Sequence, residues 1–328
     1  MEKILVTGGA GYIGSFMVRH LKEKSFDVVI ADNLSQGYKE AVKDFRLEII
    51  DLVAEKEKLN LLFERERFDG VIHMAGFIQM GESFKNPSKY FQNNLMAALN
   101  VMDTMVKNKV SNFIFSSSAG VYGNPESLPI KEEDKKEPLN PYGETKYIIE
   151  KMLEWYDKAY GLKFMAIRYF NAAGGALDGS IGEDHPDESH LIPLIIKAAL
   201  KGEKFTIFGN DYKTEDGTCV RDYIHVLDLV ETHEIALRKL LEGSGSNFYN
   251  AGVSRGYSNK EVVEMVGKVT GLSINVDYGP RREGDADSLY ASNEKIKKEL
   301  GWQPKYDLRK IIETAYLWHK SHPGGYRR

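Results

Sequence analysis

A tyrosine and a lysine stand four residues apart in the segment PYGETK, residues 141–146. Proline is favoured in the first turn of a helix, and residues at i and i+4 share one helix face, so Tyr142 and Lys146 are predicted to be neighbours. A phenol has a pKa of about 10 and is a poor base at neutral pH, but a nearby ammonium lowers that pKa. The pair indicates proton exchange with a hydroxyl group, although the spacing alone is also typical of an exposed tyrosine beside a solvated lysine.

Three serines precede this pair in the segment SSSAGVYG, residues 116–123. They end a short apolar run that is typical of a buried strand. Small hydroxyl residues at such a strand end are placed to hydrogen-bond a substrate oxygen beside Tyr142. The alternative is that they cap a helix or form a turn.

A glycine-rich turn, TGGAGYIG at residues 7–14, follows the first apolar run and opens the first helical pattern. Gly9, Gly11 and Gly14 fit G-x-G-x-x-G, in which a pyrophosphate sits on backbone N–H groups because no side chain intervenes. Asp32 ends the next apolar run, where an acid accepts hydrogen bonds from both ribose hydroxyls and repels the 2′-phosphate of NADP. The turn and its acid predict NAD binding. The alternative is a structural turn followed by a solvated aspartate.

Two more loops follow apolar runs and are predicted to share the cofactor edge, because ligands bind at the carboxyl ends of parallel strands. Asp51 and Leu52 are placed to flank an adenine, whereas Met74, Ala75 and Gly76 offer a small backbone surface near the ribose and phosphates. Each is also typical of an ordinary loop. A dinucleotide turn, a strand-end hydroxyl and a tyrosine–lysine pair, in this order, together favour oxidation of a hydroxyl group by NAD.

Short apolar runs alternate with longer amphipathic runs over the first half of the chain, which predicts strands and helices in turn. Uninterrupted apolar strands suit a sheet that is buried on both faces. The alternation implies right-handed crossovers and an α/β fold with a parallel, doubly wound sheet of the Rossmann type. The predicted strands are 3–7, 27–32, 47–50, 70–73, 112–117 and 163–169, and the predicted helices are 11–23, 54–66, 88–107 and 142–160.

The pattern changes after about residue 170, where a loop rich in glycine and aspartate is followed by a helix at 191–201 and by shorter elements. We therefore predict an NAD-binding domain at residues 1–170 and a smaller α/β substrate domain at residues 171–328. The segment from about 219 to 242 again has the pattern of a strand and then a helix, which makes it a candidate to return to the first domain.

The composition limits the partners and the compartment. A formal net charge of −4 over 328 residues argues against nucleic acid as a main partner, because neutralising phosphates needs a basic excess. Cys219 is the only cysteine, which excludes an intrachain disulfide and a multi-cysteine metal site and fits a reducing compartment. We find no stretch of about 18 apolar residues and no signal-peptide pattern, so we expect a cytoplasmic protein without a membrane partner.

Longer segments resemble the extended short-chain dehydrogenase/reductase family, also described as the NAD-dependent epimerase/dehydratase family, over essentially the whole chain. The likeness is greatest to members that invert C4 of a UDP-hexose, and the later segments are more discriminating than the glycine turn. The segments are TGGAGYIGS at 7–15, DNLSQG from 32, HMAG from 73, GES from 81, NN at 93–94, FSSSAGVYG from 115, PYGETK from 141, RYFNAAGG from 168, FGNDYKTEDGTCVRDYIHVLDL from 208 and RREGD from 281.

The resemblance implies reversible interconversion of UDP-galactose and UDP-glucose through a 4-keto intermediate, with transient hydride transfer to tightly bound NAD. Tyr142 is implied to exchange the proton of the sugar 4-hydroxyl, Lys146 to bind the nicotinamide ribose, and Ser118 to supply the catalytic hydroxyl. A homodimer is implied through helices 88–107 and 142–160. The implied cofactor contacts are Gly8, Gly11, Tyr12, Ile13, Gly14, Asp32, Asn33, Ser35, Gly37, Asp51, Leu52, Met74, Ala75, Gly76, Asn93, Ser116, Tyr142, Lys146, Tyr169 and Phe170, and the implied substrate contacts are Ser118, Tyr142, Asn171, His190, Leu191, Phe208, Arg221, Tyr223, Arg282, Asp285 and Leu289.

Three positions depart from the family pattern. Ile78 stands where some members have a cofactor-contacting lysine, and His190 stands where some have an asparagine near the UDP group. Leu289 occupies a position where members carry either a large tyrosine or a small cysteine or serine. Acceptance of UDP-N-acetylhexosamines therefore stays open, and the motifs do not exclude UDP-pentoses.

Two other functions remain as alternatives. A nucleotide-sugar 4,6-dehydratase makes the same 4-keto intermediate but needs an additional acid and base, which relatives of that type carry right after the strand-end hydroxyl. Ala119 and Gly120 occupy those positions here, which argues against dehydration. A non-catalytic NAD-binding regulator can dispense with the tyrosine–lysine pair, so the presence of that pair argues against regulation alone.

Overall fold

The computed structural model describes residues 1–282 and 285–326. The chain divides into two compact units, and each is discontinuous in sequence. Of the segment predicted to return to the first domain, residues 219–229 lie in unit 2 and residues 230–242 lie in unit 1. Unit 1 comprises Met1–Gly123, Lys136–Arg168 and Val230–Tyr249, and unit 2 comprises Asn124–Lys135, Tyr169–Leu229 and Asn250–Arg328.

Strands and helices alternate through unit 1, whereas the strands of unit 2 are shorter and less regularly ordered. In the described part of the chain, the strands are β1 (Lys3–Thr7), β2 (Asp27–Asp32), β3 (Arg46–Ile49), β4 (Gly70–His73), β5 (Asn112–Ser116), β6 (Lys163–Tyr169), β7 (Asn171–Ala173), β8 (Lys204–Phe208), β9 (Val220–Arg221), β10 (Tyr223–His225), β11 (Asn247–Ala251), β12 (Tyr257–Ser258), β13 (Asn275–Gly279) and β14 (Ser288–Leu289). The α-helices are α1 (Tyr12–Glu23), α2 (Lys56–Glu66), α3 (Met80–Lys85), α4 (Pro87–Tyr90), α5 (Met96–Lys107), α6 (Pro141–Tyr160), α7 (Leu191–Lys201), α8 (Val226–Leu241), α9 (Asn259–Thr270), α10 (Glu294–Leu300) and α11 (Leu308–Ser321).

A seven-stranded sheet in the order β3-β2-β1-β4-β5-β6-β11 forms the centre of unit 1. The pairs from β3 to β6 are all parallel, and Leu5 of β1 is in register with Val29 of β2 and Val71 of β4. These apolar side chains are buried in one cluster with residues of α2, α5 and α6, because helices cover the sheet. The predicted parallel Rossmann-type sheet is confirmed, and the strand order reverses between β1 and β4, where such folds bind ligands.

The helical stretch predicted at 88–107 is confirmed, but it contains a π-helical turn that the sequence did not predict. Helix α4 is followed by a π-helical turn at Phe91–Leu95, and only then does α5 begin. A π-helical turn inserts one extra residue into the helical ladder, which changes the direction of the side chains around it. Asn94, which this turn contains, is buried and forms hydrogen bonds to two other elements. Hydrophobic periodicity does not reveal such a turn.

Unit 2 contains three small sheets, in which β7 pairs with β10, β9 pairs with β12 and β14, and β8 pairs with β13. Its apolar core joins the buried faces of α7, α9 and α11, represented by Ile195, Val262 and Ile312. The strands that connect the loops of this unit are only two to five residues long. No helix within residues 1–282 and 285–326 has the length and apolar character needed to cross a membrane.

Candidate active site

The glycine turn of unit 1 leads from β1 into α1, whose N-cap is Gly11. Gly8 has a left-handed φ of +72°, and a Cβ there would lie 2.6 Å from the backbone nitrogen of Ala75. A Cβ at Gly14 would overlap the carbonyl oxygen of Gly8, so packing requires both of these glycines. A Cβ at Gly11, by contrast, would meet only that oxygen, at 3.4 Å, among the described atoms. The open side of Gly11 at the start of α1 has the geometry that a pyrophosphate needs.

Asp32, at the end of β2, is tied to this turn. Its Oδ2 accepts the backbone N–H of Ala10 at 2.9 Å, and its Oδ1 accepts that of Leu34 at 2.8 Å. Burial raises the pKa of Asp32, and the two N–H donors oppose that rise. A carboxylate has about four lone-pair sites, so two remain for ribose hydroxyls. Asp32 therefore has a structural role in the turn and is also available to a dinucleotide.

The loops after β2 and β3 contact each other through Asn33 and Asp51. The Asn33 amide donates to Asp51 Oδ2 at 3.3 Å, while Asn33 Oδ1 accepts the N–H of Ser35 at 3.0 Å. Leu52 differs, because its side chain is buried in the core and its carbonyl oxygen accepts the amide of Asn100 at 2.8 Å. The structure gives Leu52 a packing role, and its cofactor contact stays a prediction.

The loop after β4 is held by Asn94, to which the sequence analysis assigned no role beyond the resembling segment at 93–94. Gly76 has a φ of +156°, and the next residue, Phe77, donates its N–H to Asn94 Oδ1 at 2.9 Å. The Asn94 amide donates to the carbonyl of Phe77 at 3.1 Å and to Thr145 Oγ1 of α6 at 3.2 Å. Asn93 donates its own amide to Asn94 Oδ1 at 3.1 Å. Asn94 therefore connects the predicted cofactor loop to the helix that carries the tyrosine–lysine pair.

Tyr142, Lys146 and Ser118 lie together in unit 1. The nitrogen of Lys146 is 5.8 Å from the centre of the Tyr142 ring and donates to the carbonyl oxygen of Ser116 at 2.7 Å. Tyr142 is hydrogen-bonded to Ser118, whose Oγ also accepts the N–H of Gly120 at 3.0 Å. Ser118 thus caps the short turn at Ala119–Val121 and also contacts Tyr142. The capping role and the active-site role, which were alternatives for these serines, are both present in Ser118.

Burial dominates the electrostatics of this pair. It raises the pKa of Tyr142, and the hydrogen bond with Ser118 opposes that rise. It lowers the pKa of Lys146 to about 8, and the charge of Glu150 opposes that fall. In the chain alone, burial outweighs any effect of Lys146 on the pKa of Tyr142, and the lowering predicted from Lys146 together with the positive nicotinamide ring stays a prediction. The physical reason for the raised pKa is that burial removes the water that would stabilise the phenolate. The Lys146 ammonium donates to the carbonyl oxygen of Ser116 and does not compensate for that loss.

A buried ion pair lies behind these residues, and sequence reasoning gave it no role. Glu150 and Arg168 have side chains only 2% and 3% exposed, and they form two hydrogen bonds, of 2.8 and 2.7 Å. Glu150 Oε1 also accepts the hydroxyl of Ser117 at 2.7 Å. The hydroxyl of Ser116 contacts His233 Nε2 at 2.8 Å. These contacts fix the serine strand end against α6, and they leave the cofactor contact of Ser116 as a prediction.

In unit 2, the structure brings together three predicted substrate residues. Arg221 donates to the carbonyl oxygen of Ala286 at 2.8 Å and pairs with Asp285 Oδ1 at 3.4 Å. Leu289 is in register with Arg221 in the pairing of β14 with β9. A guanidinium held by a carbonyl and a carboxylate keeps further N–H donors, which suits a diphosphate.

Other predicted substrate residues of unit 2 are more dispersed. The Arg282 guanidinium lies 4.4 Å from the centre of the Phe208 ring, a cation–π contact. Asn171 donates its backbone N–H and its amide to one carbonyl oxygen, that of Asp222, at 3.1 and 2.9 Å. Tyr223 is buried in the core, and burial raises its pKa. A substrate contact of Tyr223 stays a prediction, because its side chain packs against apolar neighbours.

The remaining predicted positions lie at element ends. His190 is the N-cap of α7, which Leu191 begins, and its Nδ1 is 2.9 Å from Glu183 Oε1. Strand β6 ends at Tyr169, and Phe170 is buried just after it. Gly37 lies so close to the turn that a Cβ there would be 2.6 Å from the carbonyl carbon of Ala10, and Tyr12 and Ile13 open α1.

Comparison with known proteins identifies relatives of the whole chain. Residues 4–252 match the model of the NAD dependent epimerase/dehydratase family. The UDP-glucose 4-epimerase of Lactobacillus helveticus is 47% identical over 330 residues, which cover 99% of this chain and 99% of the relative. A crystal structure of a UDP-glucose 4-epimerase has a TM-score of 0.96 and 45% identity and covers 100% of both chains.

A second solved structure is that of the UDP-glucose 4-epimerase from Bifidobacterium longum in complex with NAD⁺ and UDP. Its TM-score is 0.93 at 33% identity, and the match covers 99% of this chain and 100% of that one. The family model covers more than half of the chain, and full-length relatives share nearly half of its residues. This chain therefore belongs to the NAD-dependent epimerase/dehydratase family.

Proposed function

We propose that this chain acts as a UDP-glucose 4-epimerase, interconverting UDP-galactose and UDP-glucose with NAD as its resident cofactor. The observation that carries the proposal is the hydrogen-bonded arrangement of Tyr142 and Ser118 with Lys146 alongside, in the same unit as the glycine turn. The names of the full-length relatives support it.

The residues of unit 1 fit NAD. The open face of Gly11 at the start of α1 suits the pyrophosphate, and the two remaining lone-pair sites of Asp32 suit the ribose hydroxyls. An acid at that position disfavours the 2′-phosphate of NADP. When bound, NAD would supply the redox chemistry, which is reversible hydride transfer at C4 of the sugar.

Tyr142 is proposed to take the proton of the sugar 4-hydroxyl and to give it back after the 4-keto sugar has turned over. Burial holds the pKa of Tyr142 above its usual value, so this role needs positive charge near the phenol. The ammonium of Lys146 and the positively charged ring of bound NAD supply that charge. Ser118 then stabilises the phenolate and orients it by a hydrogen bond.

Unit 2 is proposed to bind the UDP group firmly while leaving the sugar free to turn over. Arg221 and Arg282 are the proposed donors to the diphosphate, and Asn171 and Asp285 are further proposed contacts. Because the hydride returns to the sugar from which it came, no net oxidation results. The reaction is therefore an isomerisation.

The two positions after Ser118, where dehydratases carry an additional acid and base, have no acidic or basic side chain here. Ala119 is buried, and a Cβ at Gly120 would already lie 3.3 Å from Ser118 Oγ. Neither position supplies the extra acid and base that elimination across C5 and C6 requires. The structure therefore gives no support to the 4,6-dehydratase alternative.

A panel of UDP-sugars tests the proposal. Purified protein is incubated with UDP-galactose, UDP-glucose, UDP-N-acetylgalactosamine and a UDP-pentose, and the products are identified by chromatography. We expect UDP-galactose and UDP-glucose to reach the same mixture from either side, and Leu289 leads us to expect weak turnover of the N-acetylated sugar. A deoxy-keto sugar product, or no turnover of any sugar, would contradict the proposal.

We also infer a homodimer formed through α5 and α6. These helices carry exposed large apolar side chains, namely Met96 at 41%, Trp155 at 68% and Tyr160 at 62% exposure. Light scattering after gel filtration is expected to give twice the chain mass, and Trp155→Glu is expected to shift it toward a single chain. A wild-type mass of one chain would refute this interface.

A cytoplasmic location is the final part of the proposal. Cys219 is buried and free, which suits a reducing compartment. Fractionation of producing cells is expected to recover the protein with cytoplasmic markers, and recovery with secreted markers would contradict it.

A further inference from the structure

Four side chains of one short loop converge just before helix α7. They follow the spacing Glu-x-His-x-x-Glu-x-His, and one ligand atom from each lies within 4.8 Å of all the others. His190 Nδ1 is 2.9 Å from Glu183 Oε1 and 3.0 Å from Glu188 Oε1. His185 Nε2 is 3.2 Å from Glu183 Oε1. Two imidazole nitrogens and two carboxylates therefore surround one small volume.

The carboxylates of this cluster are largely removed from water. Glu183 is 2% exposed, and the side chain of Glu188 is 8% exposed. The second oxygen of Glu183, Oε2, is buried and has no hydrogen-bond partner among the described residues. The Lys197 ammonium lies 3.6 Å from the second oxygen of Glu188, beyond hydrogen-bonding distance. Two buried carboxylates this close together need positive charge, because an unpaired buried charge is costly. Without a metal ion, that charge comes from a protonated His190, which contacts both carboxylates, and from the Lys197 ammonium, so a bound metal ion would replace the proton between the ligand atoms.

The backbone holds the cluster in place. The indole N–H of Trp318 in α11 donates to the carbonyl oxygen of Glu183 at 3.2 Å. The N–H groups of Ser189 and His190 both donate to Glu188 Oε1 at 3.0 Å. The ligand atoms are thus positioned by contacts that do not depend on a bound ion, as a preformed site requires.

We propose that Glu183, His185, Glu188 and His190 bind one Zn²⁺ ion, which fixes this loop to the start of α7. Imidazole nitrogens favour zinc over Mg²⁺ and Ca²⁺, which prefer oxygen ligands alone. Four-coordinate zinc with N and O bonds of about 2.0–2.2 Å places its ligand atoms about 3.3–3.6 Å apart. The ligand atoms of the cluster are 2.9 to 4.8 Å apart, a range that includes this spacing, so zinc binding requires the hydrogen-bonded pairs to separate slightly and the wider pairs to close.

Metal binding to the full-length protein tests the proposal. Protein stripped with a chelator and freed of it is dialysed against ZnCl₂, and bound zinc is counted by mass spectrometry. We expect one zinc per chain and a raised Tm, because a ligand that binds only the folded state stabilises it. Glu183→Gln and His185→Gln are expected to weaken zinc binding at least 10-fold. The matched control, His20→Gln, removes a histidine of α1 in unit 1 and is expected to keep one zinc per chain.

Cobalt provides a second readout of the same site. Co²⁺ bound by four N and O ligands absorbs visible light, and we expect this absorption in the wild type and not in Glu188→Gln. Retained NAD binding by each variant shows that unit 1 remains folded, and the Tm without metal shows whether unit 2 does. The proposal is overturned if the wild type retains no zinc after dialysis, or if the folded variants bind zinc as tightly as the wild type. Neither result would affect the proposed epimerase activity, which the sugar panel tests separately.

Discussion

In unit 1, most predicted site residues stand at the ends of parallel strands of four to seven residues or on the helices packed against them, whereas in unit 2 most stand on strands of two to five residues and on the loops between them. The glycine turn, Asp32 and Ser118 are each fixed by backbone hydrogen bonds or by glycine contacts. Arg221 and Arg282 are instead fixed by a carboxylate, carbonyl oxygens and one aromatic ring.

The difference matches the two tasks in the proposed reaction. Hydride and proton transfer require groups placed within a fraction of an ångström, and a rigid sheet edge provides that. Binding a diphosphate while a sugar turns over requires charge and planar donors more than a single fixed geometry. Changes in unit 1 should therefore reduce kcat, cofactor affinity or stability, whereas changes in unit 2 should reduce substrate affinity.

The largest effect is expected for Tyr142→Phe, which removes the phenolic oxygen and keeps the ring. We expect kcat to fall about 10²–10⁴-fold, the usual contribution of a positioned acid–base group. NAD content and Tm should remain near those of the wild type. Tyr147→Phe, on the same helix, is the matched control and should retain activity. Near-normal turnover by Tyr142→Phe would contradict the acid–base role of Tyr142. It would also contradict the claim that the residues of unit 1 carry out proton transfer.

Glu150→Gln is expected to have the next largest effect, on stability. It leaves Arg168 buried without its charge partner, and breaking a buried pair costs roughly 3–5 kcal/mol. Chemical denaturation measures the loss, and Glu154→Gln, exposed on the same helix, is the control with little expected change.

The same variant also makes a prediction about pH. The charge of Glu150 raises the pKa of Lys146, so its loss should move that pKa below about 8. The fall in kcat/KM at alkaline pH should then begin at a lower pH than in the wild type. An unchanged stability together with an unchanged pH profile would show that this pair does not support the unit 1 site.

Arg221→Leu tests unit 2 and should act on affinity. Loss of a hydrogen bond to a charged group costs about 1.5–3 kcal/mol, so KM for the UDP-sugar and Kd for UDP should rise about 10- to 100-fold. NAD content should not change. The control is Arg255→Leu, an exposed arginine of the same unit. If kcat falls while the Kd of UDP is unaltered, the division of tasks between the units is wrong.

Asp32→Asn is expected to have the smallest effect. It keeps a side-chain oxygen for a backbone N–H and removes the charge that repels the 2′-phosphate. We expect calorimetry to show NAD preferred over NADP in the wild type, with that preference reduced about 10-fold in the variant. A wild type that prefers NADP would refute the placement of this acid.

Much of unit 1 can be predicted from the sequence because its signals are local. The apolar runs at β1, β2, β4 and β6 are bounded by turn residues, and the predicted strands match the observed bounds. The glycine spacing is local where Gly14 packs on Gly8 and Gly9 of its own turn, whereas Gly8 packs against Ala75, which follows β4 and is distant in sequence. Local packing of this kind leaves a clear pattern in composition and spacing.

The rest depends on contacts between distant residues, which spacing does not reveal. Arg221 and Asp285 are 64 positions apart and meet because of the pairing of β9 with β14. In the sequence, only the family resemblance indicated that both residues belong to the substrate site. The raised pKa of Tyr142 arises from burial in the folded chain, which residue spacing does not show. Asn94 likewise acquires its role from a π-helical turn that no periodicity indicates.

Isotope retention at C4 of the sugar tests the central claim most directly. UDP-galactose carrying deuterium at C4 is converted by the purified protein in ordinary water, and the product is analysed by NMR and mass spectrometry. The account predicts UDP-glucose that keeps deuterium at C4. The reason is that the cofactor and the keto sugar both stay bound, so the deuterium removed from the sugar returns to the same sugar. Product with hydrogen at C4 would contradict this mechanism, since it would mean exchange with solvent or with a free cofactor pool.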